Sequence, residues 1–104
     1  MSKSARRSKA FRPEQNGTIS VSIGTTDVNV SALLPHFAEY TYIDNRAETD
    51  VYMNFGDPCN ADKSMRIPKG ETLIIAWPYG YDMHMMRPTG AAAEDVYITL
   101  GDFF

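Results

Sequence analysis

The sequence predicts an all-β fold: an antiparallel β-sandwich of jelly-roll kind, built from seven to eight short strands behind an extended N-terminal arm. Three observations predict it. Apolar residues recur at every second position in several short runs. Turn residues interrupt the chain roughly every ten residues. No stretch has the length and 3.6-residue periodicity of a crossover helix, so parallel βαβ units are excluded. At 104 residues, with 43% hydrophobic and 22% charged side chains, the chain has room for one domain with a thin core.

Residues 1–13 read as the arm, polar and without hydrophobic periodicity, and residues 14–104 as the single domain. Pro13 and Asn16-Gly17 punctuate the entry. From Thr18, Ile19, Val21 and Ile23 alternate with serines, and Val28 and Val30 continue the alternation beyond Gly24-Thr25-Thr26, which predicts a hairpin. Ser31 to Phe37 holds the one helical turn, limited by Pro35. Residues 39–43 and 51–55, β-branched and aromatic, predict strands on either side of a polar turn. After the loop of Cys59, Asn60 and Ala61, the turn Ile67-Pro68-Lys69-Gly70 leads to Thr72–Trp77. This nearly continuous apolar run suits a strand buried on both faces. Met83–Met86 and Val96–Leu100 complete the set. Asp50–Asp57 repeats in Asp95–Asp102 with five of eight positions identical, either by convergence or because the two strands hold equivalent places in two stacked sheets.

The net charge of −3 hides an asymmetry. Lys3, Arg6, Arg7, Lys9 and Arg12 lie in the arm with no acid among them, which leaves the domain at −8. Such an arm orders on an acidic surface or on nucleic acid. An acidic domain disfavours a nucleic-acid groove, so any nucleic-acid contact belongs to the arm alone, with Phe11 stacking on bases. The alternative is an arm laid across a neighbouring subunit, anchored by Phe11. The apolar run at 73–77 is too short to cross a membrane and the N-terminus has no signal-peptide pattern, which predicts a cytosolic chain and no membrane partner. A single cysteine agrees.

The residues predict neither an enzyme nor a cofactor. Cys59, His36 and His84 are widely spaced and match no zinc or nucleophile pattern. The loose carboxylates around Asp44–Asp62 lack the spacing of a calcium loop. What remains is contact surface. Trp77, Tyr79, Tyr81 and Met85 belong to an aromatic and methionine-rich segment that supplies either interface area or core. Phe103 and Phe104 dock either on the domain or on a neighbour.

The stretch Tyr42-Ile43-Asp44-Asn45-Arg46-Ala47-Glu48-Thr49-Asp50-Val51-Tyr52-Met53-Asn54-Phe55-Gly56, followed by Ile67-Pro68-Lys69-Gly70-Glu71-Thr72-Leu73, resembles small structural proteins of tailed bacteriophages. In those proteins an x-N-x-x-x-x-D-V-Y-V-x-F/L-G strand precedes an I-P-x-G-x-x-L turn and strand. The resemblance implies a compact β-sandwich in the virion, made in the host cytoplasm. It implies a capsid decoration or cement protein that binds major capsid protein subunits and forms a homo-oligomer, trimer or dimer. The alternatives are a head–tail connector or tail component and, in another class, a carbohydrate-binding module with Trp77, Tyr79 and Tyr81 on one exposed face.

Overall fold

The computed structural model describes residues 10–78 and 80–103, the last without its side chain. Among these residues eight strands form two four-stranded antiparallel sheets: β1 (Phe11–Ile23), β2 (Val28–Asn29), β3 (Tyr40–Asn45), β4 (Val51–Phe55), β5 (Met65–Ile67), β6 (Glu71–Ala76), β7 (Met83–Met86) and β8 (Glu94–Phe103). The sheets run β1-β8-β3-β6 and β2-β7-β4-β5, the order of a jelly roll, the double Greek key of viral capsid and lectin domains.

Alternation sets the faces. Val21 and Ile23 of β1, Ile43 of β3 and Val96, Ile98 and Leu100 of β8 point inward from one sheet. Val51 and Met53 of β4, Ile67 of β5 and Met83 and Met85 of β7 meet them from the other. The two repeated segments become β4 and β8, interior strands of opposite sheets whose Val-x-Met and Val-x-Ile positions face each other's layer.

Several expectations are corrected. β1 begins at Phe11 rather than Thr18, because residues 11–13 pair with residues 103–101 of β8. Pro13, Asn16 and Gly17 mark a register shift within that strand instead of its start, with Asn16 at φ 56°. β1 and β2 do not form a hairpin: they lie in different sheets, since Gly24 accepts from Arg87 N (2.7 Å) and packs close to Ala93. Alternation fixes a strand's face and leaves its partner open. β6 is an edge strand hydrogen-bonded to β3 and ending at Ala76; Leu73 and Ile75 pack toward the core while Ile74 stays 41% exposed. The helical turn is a 3-10 turn over Val30–Leu33.

One end of the sandwich is closed by a buried polar cluster. Asn45, on the last residue of β3, donates its amide to Thr49 O (3.0 Å), Ile67 O (3.1 Å) and Pro68 O (3.2 Å). Its own carbonyl accepts from Gly70 N (2.7 Å), and Asp50 caps the same turn by accepting from Lys69 N (2.9 Å). Beside it Arg87 is fully buried, donating to Ile23 O, Asn45 Oδ1, Thr49 O, Thr49 Oγ1 and Glu94 O. Burial lowers the guanidinium's pKa, and the charge of Glu94 opposes that shift. These contacts tie β1, β3, β8 and the β3–β4 loop, so the charge is satisfied by oxygens of the fold itself.

Candidate binding cleft

The opposite end carries a cleft of about 380 Å³, lined by Ser31, Leu34, His36, Phe37, Trp77, Gly80, Tyr81 and Asp82. Two loops make it, residues 30–39 between β2 and β3 and residues 77–82 between β6 and β7. Asn29 starts the first: its Oδ1 accepts from Ser31 N (3.1 Å), capping the 3-10 turn, while its Nδ2 donates to Asp82 Oδ2 (3.1 Å) in the second loop. Ser31 Oγ then accepts from Met83 N (2.9 Å), and Trp77 N donates to Glu39 O (2.7 Å). The walls are therefore fixed to each other by side chain and backbone alike.

Trp77 is the floor. Its ring is 6% exposed and meets Phe37 edge-on at 5.7 Å and Phe55 at 6.0 Å, and its Nε1 donates to Tyr81 O (2.8 Å). Tyr81 stands at the mouth, 58% exposed, with Phe37 opposite at 41%. Gly56, at φ 91°, lies so close to the Tyr81 ring that a Cβ there would come within 3.1 Å of it. Its amide donates to Asp82 O (2.8 Å). The glycine that ends β4 thus seats the cleft's outer aromatic wall.

Charge at the rim comes from Asp82, His36 and Glu14. Asp82 is exposed and, among the described residues, holds no cationic partner; its carboxylate accepts from the Asn29 amide. His36 Nδ1 donates to Phe37 O (2.7 Å) and Nε2 to Glu14 Oε1 (2.9 Å). Both acceptors favour the protonated ring, and they raise the His36 pKa, the Phe37 carbonyl most and Glu14 next.

The predicted contact residues separate. Tyr81 is on the surface. Trp77 and Met85 are not: both are buried core residues, because they fall on inward positions of a thin sandwich that needs them as filling. Burial of Trp77 also removes the exposed three-ring platform that a carbohydrate-binding module was expected to present. Phe11 is half-buried with its ring 6.1 Å from Tyr42, and Arg12 lies 3.5 Å from Asp102. Both belong to β1, on the fold rather than in a free arm. Lys3, Arg6, Arg7, Lys9, Tyr79, Phe104 and the Phe103 side chain lie outside the described residues.

Sequence reasoning missed Phe37, His36 and Asp82 as companions of Tyr81. An aromatic residue two positions after Pro35 in a loop was the available signal. His84 and Cys59 meet at one carboxylate, Asp27, whereas His36 lies apart from them. Asp27 accepts from His84 Nδ1 (2.7 Å) and from Cys59 N (2.8 Å), while His36 belongs to the cleft rim. Burial first, and then the charge of Asp27, push the Cys59 thiol up to about 12. Among the described residues no three His, Cys, Asp or Glu side chains gather closely enough to hold a metal ion.

No protein-family model, no curated protein and no solved structure matches this chain.

Proposed function

We propose that the chain is a virion structural protein of the capsid-decoration kind, a small jelly roll that binds coat subunits and stabilises the shell. The observation that carries this reading is the physical coherence of the motif by which the chain resembles small phage structural proteins. Its asparagine is Asn45, whose amide spans to the carbonyls of Thr49, Ile67 and Pro68; its aspartate is Asp50, which accepts from Lys69 N. The x-N-x-x-x-x-D-V-Y strand and the I-P-x-G turn are therefore two halves of one clasp. The residues that carry the resemblance are thus the ones that close this end of the sandwich. Because fold alone does not determine function, the assignment to a shell rests on the resemblance as well.

A decoration role asks for many weak contacts repeated over a lattice rather than one tight site. Exposed half-apolar faces supply them: the outer face of the β1-β8-β3-β6 sheet presents Tyr40, Tyr42 and Tyr97, all half-buried, around the exposed Ile74. The test is quantitative mass spectrometry of purified particles made by the phage that encodes the chain. Hundreds of copies per particle are expected. A single ring's worth would move the protein to a connector, and absence from the particle would end the reading.

A further inference from the structure

We propose that the aromatic cleft is the receptor for the basic segment 1–9 of a neighbouring copy, so that copies join by exchanging arms. The proposal rests on the reading of the chain as an assembling structural protein and names the contact that does the assembling.

The cleft has the chemistry of a cation site. Phe37 and Tyr81 present exposed ring surface above the Trp77 floor, and Asp82, held by the Asn29 amide and without a cationic partner among the described residues, puts a carboxylate at the same mouth. A guanidinium lies flat on aromatic faces while its N–H fork reaches a carboxylate, and is more weakly hydrated than an ammonium. The chain carries such a ligand: Lys3, Arg6, Arg7 and Lys9 precede β1 with no acid among them, against a remainder of net charge −7.

Direction decides between the chain's own cleft and a neighbour's. β1 and the cleft share one end of the sandwich, since Glu14 of β1 reaches His36 on the rim. At that end, however, β1 runs outward. Phe11 and Arg12 pair with Phe103 and Asp102, beyond Gly101, where β3 begins opposite Tyr40. The nine residues of segment 1–9 span roughly 30 Å at full extension, enough to enter the cleft of a copy placed end to end.

The experiment uses the full chain and light scattering after size exclusion. Wild type is expected to show a mass of at least two copies, reduced at high salt because the arm's charges are screened. An arm variant (Arg6→Gln with Arg7→Gln) and a cleft variant (Tyr81→Ala with Asp82→Asn) are each expected to weaken association about tenfold or more. Both cleft positions are exposed, and thermal melting checks that each variant is folded. The deciding sample is the equimolar mixture of the two variants. One supplies an intact cleft and the other an intact arm, so exchange predicts recovery of the paired mass. Recovery in the mixture supports the proposal. A monomeric wild type, association indifferent to both variants, or defective variants that stay monomeric when mixed would each overturn it, the last by returning the arm to its own cleft. A soluble oligosaccharide that shifts Trp77 fluorescence equally in wild type and arm variant, with no arm effect on mass, would also overturn it and give the cleft to sugars. None of these outcomes changes the copy number in particles, so the two readings fail separately.

Discussion

At the scale of single residues, two side chains hold the clearest consequences, Thr41 buried and Cys59 half-buried. Thr41 sits on the inward face of β3, fully buried, and its Oγ1 makes no hydrogen bond among the described residues. A buried hydroxyl without a partner carries its desolvation penalty uncompensated. Thr41→Val replaces it with a methyl of nearly the same shape and is expected to stabilise the fold by about 1 kcal/mol, read as a rise in the midpoint of urea unfolding. Cys59 is the opposite case, a group whose environment silences it. A thiol pushed up to about 12 by burial and by Asp27 is almost wholly protonated at neutral pH. Alkylation of the native chain by iodoacetamide at pH 8 should therefore be far slower than that of the urea-unfolded chain, and equal rates would contradict the burial of this site. Neither property was legible in the sequence. Thr41 reads as an ordinary β-branched strand residue, and Cys59 as a bland loop thiol, until Asp27 is brought to it from 32 positions away.

At the scale of elements, the sequence spoke clearly about which segments are strands and poorly about which strands meet. Ile19-x-Val21-x-Ile23 and Val96-x-Ile98-x-Leu100 show their faces directly, since side-chain period is a local property. That they pair with each other, Val21 opposite Val96 and Ile19 opposite Ile98, is a long-range fact with no local trace. The nearer hairpin of β1 with β2 was the natural expectation, and the route of Gly24 past Ala93 and Arg87 excludes it. The cleft was half legible for the same reason: Trp77 and Tyr81 lie in one apolar segment, whereas Phe37 arrives from another loop. The β1–β8 ladder offers its own test. A Cβ on Gly101 would lie 2.3 Å from Arg12 O and 2.7 Å from the Phe11 ring. Gly101→Ala is expected to lever residues 11–13 off β8, costing about 1–3 kcal/mol as overpacking does and removing amide-exchange protection from that stretch while the Thr18–Ile23 ladder keeps its own.

For the whole molecule, the two ends of the sandwich have divided their work. One end is tied by Arg87 and Asn45, buried and hydrogen-bonded to the strands around them, and the other carries the open cleft and the outgoing strand β1. Arg87→Met would remove the guanidinium donor from the carbonyls of Ile23 and Glu94 and leave Thr49 O to Asn45 alone, an expected loss of about 3 kcal/mol or more by chemical denaturation. Arg87→Lys should recover little of it, because one ammonium cannot serve oxygens that a planar fork reaches together. The pairing of β1 with β8 also sets a schedule. The first strand of the sandwich waits for the last, so a growing chain on the ribosome carries β1 with no sheet to join until residues 94–103 have left the exit tunnel. Folding is then a single late event, expected in the millisecond-to-second range typical of non-local β topologies. A stopped-flow trace by Trp77 fluorescence in the microsecond range would contradict it. Until that moment the longest strand among the described residues is an open edge, a template on which another unfinished chain could pair.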